Sequence, residues 1–135
     1  TLQEVVGIGT TIVRVRIDDG EERPLATVNF CIANARYFGG GMMIAPKAKL
    51  DDGYFDLINI GDIRTAKVLL NAYTLYNGSH LDLSEVKNSL ARRVEISPVD
   101  PSADIHLETD GELPGRLPAV YEIVSGALRI RVPKQ

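Results

Sequence analysis

Residues 11–17, Thr-Ile-Val-Arg-Val-Arg-Ile, put Val13, Val15 and Ile17 on one side of an extended chain and Arg14 and Arg16 on the other. A period of two is the mark of a strand buried on one face and wet on the other. The theme recurs in short pieces. Residues 27–34 (TVNFCIAN), 54–60 (YFDLINI), 92–97 (RRVEIS) and 103–109 (ADIHLET) are further apolar, β-rich runs, punctuated by turn formers among the chain's 12 Gly and 7 Pro. Asp18-Asp19-Gly20 ends the first run with residues that tolerate positive φ, which predicts a hairpin or tight turn. At the tail, residues 119–124 and 127–132 flank Ser125-Gly126 and predict a second hairpin, with Leu128, Ile130 and Val132 alternating with Arg129 and Arg131.

One segment changes period. From Arg64 to Asn77, the apolar residues Ala66, Leu69, Leu70, Tyr73 and Tyr76 recur at spacings of three and four, which predicts an amphipathic helix. Asp62 is its candidate N-cap and Gly78 its candidate C′ residue. Ser79 to Ser89 is polar and reads as an irregular connection or a short second helix. The expected fold is therefore mainly β, an antiparallel sandwich with one or two packed helices. The 135 residues can bury roughly two thirds of their unfolded surface, enough for a single domain spanning 1–135.

Composition excludes several classes of function. Fifteen Lys and Arg stand against 18 Asp and Glu, a formal charge of −3. That balance lacks the basic surface nucleic acid demands. No apolar run approaches the about 18 residues of a membrane span. Cys31 is the lone cysteine, so no internal disulfide is possible and a reducing, cytoplasmic setting is expected. Thr1-Leu2-Gln3-Glu4 carries neither an initiator Met nor a signal-peptide pattern. Arg14, Arg16, Arg129 and Arg131 lie on the polar faces of two strands. If those strands are neighbours, they form a basic stripe able to meet phosphate or an anionic membrane.

The chemistry-bearing residues concentrate in 34–56, NARYFGGGMMIAPKAKLDDGYFD. Three consecutive glycines are entropically costly, so unusual φ values or close approach to a partner must require them. Asn34, Gly39, Gly40, Gly41 and Met42 are the candidate substrate contacts. Phe38, Met42, Met43 and Ile44 are candidates for an apolar groove. Asp51-Asp52-Gly53 is a turn by composition, and it could also be an oxygen-lined cation site, one carboxylate helped by carbonyls and water. Thr109-Asp110-Gly111-Glu112 is a second acidic turn, either an ordinary solvated one or the seat of a general base with an acidic neighbour. His80 and His106 have no Cys or His at ligand spacing, which argues against zinc. Cys31, inside an apolar run, reads as a small buried hydrophobe. Ser125-Gly126 has neither the strand-to-helix setting nor the His partner of a hydrolase nucleophile.

In order, TVNF, FGGGMMIAPKAKLDDGYFDL, the helical segment, RRVEI and TDGE resemble the C-terminal domain of the diacylglycerol kinase catalytic family. The similarity runs from about Leu2 to Pro133 and rests on the GGG…P-x-A…DDG block together with the later DGE. It implies a two-domain ATP-dependent lipid kinase whose C-terminal half is a β-sandwich, with ATP in the interdomain cleft. It also implies Glu112 as proton acceptor for a lipid hydroxyl, Asp110 as its acidic neighbour, and a structural Mg²⁺ held by the Asp52 carboxylate and the carbonyls of Lys49 and Tyr54. The expected partners are an N-terminal nucleotide-binding domain, a lipid substrate and the inner face of an anionic membrane. The family's GGDGT-type nucleotide loop is missing: Gly7-Ile8-Gly9-Thr10 has no acidic residue and leads into a strand. The chain is thus expected to be the C-terminal half of a kinase, with ATP bound mainly by the absent N-terminal domain and no turnover alone. Two other readings compete: a non-catalytic module binding a lipid or small ligand, and a domain of an NAD kinase-like enzyme.

Overall fold

The structure, a computed structural model, describes residues 9–64, 67, 70–129 and 131. The strands are β1 (Thr11–Ile17), β2 (Arg23–Thr27), β3 (Asn29–Ala33), β4 (Phe55–Ile60), β5 (Val86–Ala91), β6 (Arg93–Pro98), β7 (His106–Thr109), β8 (Glu112–Arg116) and β9 (Ala119–Glu122). A short helix α1 (Thr74–Asn77) and a 3₁₀ turn (Ser79–Asp82) stand between β4 and β5.

β1 behaves as its alternation dictates. It turns back through Asp18-Asp19-Gly20 into antiparallel β2, pairing Thr11 with Thr27 and Val15 with Arg23. The first sheet has the order β2-β1-β6-β9 and the second β3-β4-β5, while among the described residues β7 and β8 pair only with each other. Val13 and Val15 of β1 and Val94 and Ile96 of β6 meet Leu57 and Ala91 of the second sheet in one apolar cluster. This is the inter-sheet core of an antiparallel sandwich. The opposite face of the second sheet carries another cluster, in which Ala33, Ile58 and Val86 pack against Ile44, Ala45 and Ala48 of the long β3–β4 connection. Leu75, Leu81 and Leu83 add a helical cover to it. β4 is consequently buried on both faces, Asp56 through Asn59 without a break.

Four expectations are corrected. Of the predicted apolar stripe, Leu70, Tyr73 and Tyr76 are exposed, whereas polar Thr74 is buried. Ala66 and Leu69 lie outside the described residues. The tail bends at Ser125-Gly126, where the Ala127 N–H donates to Val124 O at 3.3 Å, but residues 127–129 form no return strand; Ile130 and Val132 are outside the described residues. The polar stretch after the 3₁₀ turn contains β5, which pairs with β4 from Val86–Ile60 to Ala91–Phe55. Finally, β1 has β2 and β6 as its neighbours. Its arginines are neutralised there, Arg14 by Glu22 at 3.6 Å and Arg16 by Glu95 at 3.6 Å. No basic stripe with Arg129 and Arg131 forms among the described residues.

Candidate functional site

The glycine triplet is explained by its backbone. Phe38 and Met42 exchange main-chain hydrogen bonds of 3.0 and 3.1 Å, closing a tight loop. Gly39, Gly40 and Gly41 occupy φ of 20°, 56° and 84°, values that strain any residue with a Cβ. The loop is exposed, as is Asn34 just beyond β3. Below it the chain is tied down. The Met43 N–H donates to Leu75 O at 2.6 Å, the Ala45 N–H to Arg36 O at 3.2 Å, and Arg36 Nε to Ala48 O at 3.1 Å. Ile44, expected in an apolar groove, is instead a core residue, 2% exposed. Met42 and Met43 are half-buried and Phe38 exposed. Gly78 locks the helical cover onto this segment: it has φ 78°, and a Cβ there would lie 2.7 Å from Pro46 Cγ. His80 is buried beside it and donates from Nε2 to Ile44 O at 2.9 Å, a packing role.

The Lys49–Tyr54 turn leads straight into β4. Asp52 Oδ1 accepts the Tyr54 N–H at 3.0 Å, and Gly53 takes φ 75° beside Ser125. Tyr54 is held from outside by Arg92, whose guanidinium lies 4.8 Å from the ring centroid. Asp18 in turn fixes the Arg92 strand start, its Oδ1 accepting the N–H groups of Arg92 and Arg93 at 2.8 and 2.9 Å. These residues and Asp19 line an open depression of about 400 Å³. The sequence reading missed Asp56, a carboxylate at an inward position of an apolar strand and 3% exposed. Burial raises its pKa above the ordinary carboxylate range, the charge of Asp52 adds to the rise, and Lys47 opposes it. Asp56 lies in the field of Asp52, and carboxylates are the oxygen donors a hard cation takes; if Mg²⁺ binds here, Asp52 with the Lys49 and Tyr54 carbonyls would hold it. Among the described residues no cluster of three or more His, Cys, Asp or Glu offers a rival site.

The other acidic turn is a two-residue hairpin loop. Thr109 faces Glu112 across the β7–β8 pair, and Asp110 and Gly111 have φ 51° and 83°. Positive φ at both central positions is the twist-matched turn of a β-hairpin. Every residue of β8 is exposed, so Glu112 stands in water at the hairpin tip. Asp104 pins the base by pairing with Arg116 at 2.9 Å. The hairpin lies between β6 and β9, after the Pro98 end of β6, whereas Tyr54 sits by Arg92 at the opposite end. No hydrogen bond or ion pair among the described residues joins the two acidic turns.

Two packed antiparallel sheets, a helical cover on one of them and acidic residues borne on turns define a β-sandwich domain. The chain belongs to the family described as the YegS C-terminal NAD kinase beta sandwich-like domain, whose model matches residues 1–132. It is similar to a diacylglycerol kinase of Mycobacterium tuberculosis strain CDC 1551, with 30% identity over 117 residues, 86% of this chain and 37% of that protein. A diacylglycerol kinase of Staphylococcus carnosus is 30% identical over 125 residues, 92% of this chain and 40% of the relative. A crystal structure of a diacylglycerol kinase from Bacillus anthracis superimposes with a TM-score of 0.64 at 21% identity, covering 92% of this chain and 43% of that one. This last likeness bears on the fold alone. The chain spans less than half the length of these relatives.

Proposed function

We propose that this domain is the substrate-side half of an ATP-dependent, diacylglycerol kinase-like lipid kinase that moves the γ-phosphoryl group of ATP to a lipid hydroxyl. The single observation that carries the reading is the match over nearly the whole chain to relatives named diacylglycerol kinase. The position of Glu112 supports it: a carboxylate held by a hairpin turn can meet a hydroxyl brought to it without first being ordered. Phosphoryl transfer leaves the protein little covalent work, so positioning and charge neutralisation dominate. Glu112 accepts the hydroxyl proton as the oxygen attacks phosphorus, and Asp110 orients or neighbours that base. Asn34 and the Gly39-Gly40-Gly41-Met42 loop contact the substrate. Mg²⁺, when bound, supplies a fixed positive charge; Asp52, Lys49 and Tyr54 hold it and so fix the shape of the turn. ATP is bound mainly by an N-terminal nucleotide-binding domain joined to this one in a longer, cytoplasmic protein.

The test uses that longer protein with radiolabelled ATP and diacylglycerol in mixed micelles. Glu112→Gln preserves size and hydrogen bonding while removing the base, so turnover is expected to fall by about 10²–10⁴-fold with the melting temperature unchanged. Near-normal turnover in the variant would refute the base. Label incorporated into NAD rather than lipid would favour a second reading, suggested by the family's description, that the domain serves an NAD kinase-like enzyme.

A further inference from the structure

The buried ring in the helical cover is more than packing requires. His80 is 2% exposed and sits in the 3₁₀ turn whose Leu81, with Leu75 and Leu83, covers the second apolar cluster. Its Nε2 lies 2.9 Å from Ile44 O. A carbonyl only accepts, so Nε2 carries the proton and the bond selects that tautomer. Nδ1 is buried too and has no hydrogen-bond partner among the described residues. A leucine would fill the same apolar cover without stranding a ring nitrogen, and a buried polar atom left unpaired costs free energy. The bond His80 makes therefore accounts for the ring better than the space it fills.

The acceptor stands at the foot of the glycine loop. Ile44 is itself 2% exposed, in an irregular connection, and among the described residues His80 is the donor its carbonyl finds. Without that donor a main-chain oxygen is buried unpaired. The residues on either side are gripped as well. The Met43 N–H donates to Leu75 O at 2.6 Å and the Ala45 N–H to Arg36 O at 3.2 Å. Gly78 lets the cover close in, since a Cβ there would lie 3.2 Å from Met43 Sδ as well as against Pro46. One leg of the loop thus leaves β3 through Asn34, and the other is seated on the helical cover. Gly39, Gly40 and Gly41 have no side chains with which to anchor themselves, and the Phe38–Met42 bonds close only the neck. Where the loop stands is set by what holds residues 43–45.

We infer that His80 is the positioning residue of the glycine loop: by donating its Nε2–H to Ile44 O, it sets where Gly39, Gly40, Gly41 and Met42 meet a substrate. This rests on the lipid kinase reading only for what the substrate is. The chain's two methionines are Met42 and Met43, so methyl-labelled methionine gives two NMR signals, both from this loop and its foot. In the 135-residue chain, His80→Leu keeps apolar bulk and removes the donor, and both signals are expected to move. His80→Gln restores a side-chain N–H of similar reach and is expected to return them toward wild type. In the longer protein, His80→Leu raises the KM for diacylglycerol by roughly fivefold, the worth of one hydrogen bond, with kcat and the KM for ATP unchanged, and His80→Gln brings it back. A residue that served the fold alone would instead lower the melting temperature without separating KM from kcat. The inference is overturned if neither methionine signal responds to His80→Leu, if His80→Gln behaves as His80→Leu does, or if kcat falls while the KM holds. Should His80→Leu not fold, the ¹⁵N imidazole signals of the wild type decide: a proton on Nε2 with Nδ1 bare supports the inference, and the opposite tautomer overturns it. A longer wild-type protein that phosphorylates no lipid refutes the kinase reading, and the methionine signals still decide the role of His80.

Discussion

Asp56 shows how one residue can carry opposed demands. Its backbone is a central rung of the second sheet, pairing with Ala33 on one side and Leu90 on the other, while its carboxylate is buried near Asp52. Burial disfavours the charged form, so the folded-state pKa lies above the ordinary range. The sign follows from linkage: such a group stabilises the fold below its unfolded pKa, and that contribution is lost as pH rises through the raised folded value. Without divalent cation, the wild type is therefore expected to lose melting temperature relative to Asp56→Asn as pH climbs through that value. Asp56→Asn cannot ionise, so its profile is flatter and it melts higher at neutral pH. Adding Mg²⁺ stabilises the wild type more than the variant, since one of the two carboxylates in its field is gone. Thermal melts across pH, with and without the ion, check this; parallel profiles for the two proteins would contradict it. Asp56 was legible in principle, as a lone acid among Phe55, Leu57, Ile58 and Ile60. What hides it is that alternation alone gives no reason to expect the second face of β4 to be covered.

At the scale of elements, legibility tracks how far each strand's burial is one-sided. β1, with clean alternation, and β4, an apolar-rich run, stand where the pattern puts them. β5 (VKNSLA) buries only its two end residues, Val86 and Ala91, so it has no internal alternation to read. β8 (ELPGR) contains Pro114 and Gly115 and is exposed throughout, which its place as an edge strand paired with β7 among the described residues tolerates. The helical segment misleads for the converse reason: its periodicity is real, but Leu70, Tyr73 and Tyr76 are exposed. The β7–β8 hairpin has few apolar anchors, Ile105 and Leu117 at its base being the ones that reach the inter-sheet core. Local opening costs least where buried contacts are few. Amide exchange in 107–116 is accordingly expected to be faster, by orders of magnitude, than in β4, whose amides lie between two partner strands under two apolar clusters. Mass spectrometry of exchange in the native state measures it, and equal protection of hairpin and β4 would refute it. A hairpin that opens readily suits a base that must meet an incoming substrate.

For the whole molecule, the two sheets spend their apolar faces on each other and on the helical cover, which leaves the two acidic turns on loops at opposite ends of β6. That arrangement explains why composition and periodicity reveal a sandwich while saying nothing of chemistry: the residues that stabilise the fold and those proposed to act are nearly disjoint. It also limits what the domain can do unaided. Glu112 stands in open water, and the depression beside Tyr54 is open, lined by Asp18, Asp19, Tyr54, Arg92 and Arg93. Holding reactants in line is worth about 7–11 kcal/mol of a barrier, and a lone exposed carboxylate supplies none of that. The 135-residue chain is therefore expected to show no measurable γ-phosphoryl transfer to diacylglycerol, with or without Mg²⁺. Its melting temperature should not respond to ATP, because a nucleotide that does not bind the native state cannot stabilise it. Covalent connection to a nucleotide-binding domain should restore transfer, and mixing the two as separate chains should restore much less, since a linker supplies an effective concentration in the millimolar range. Transfer by the chain alone would mean that the acidic turns approach each other closely enough to form a complete site within one sandwich.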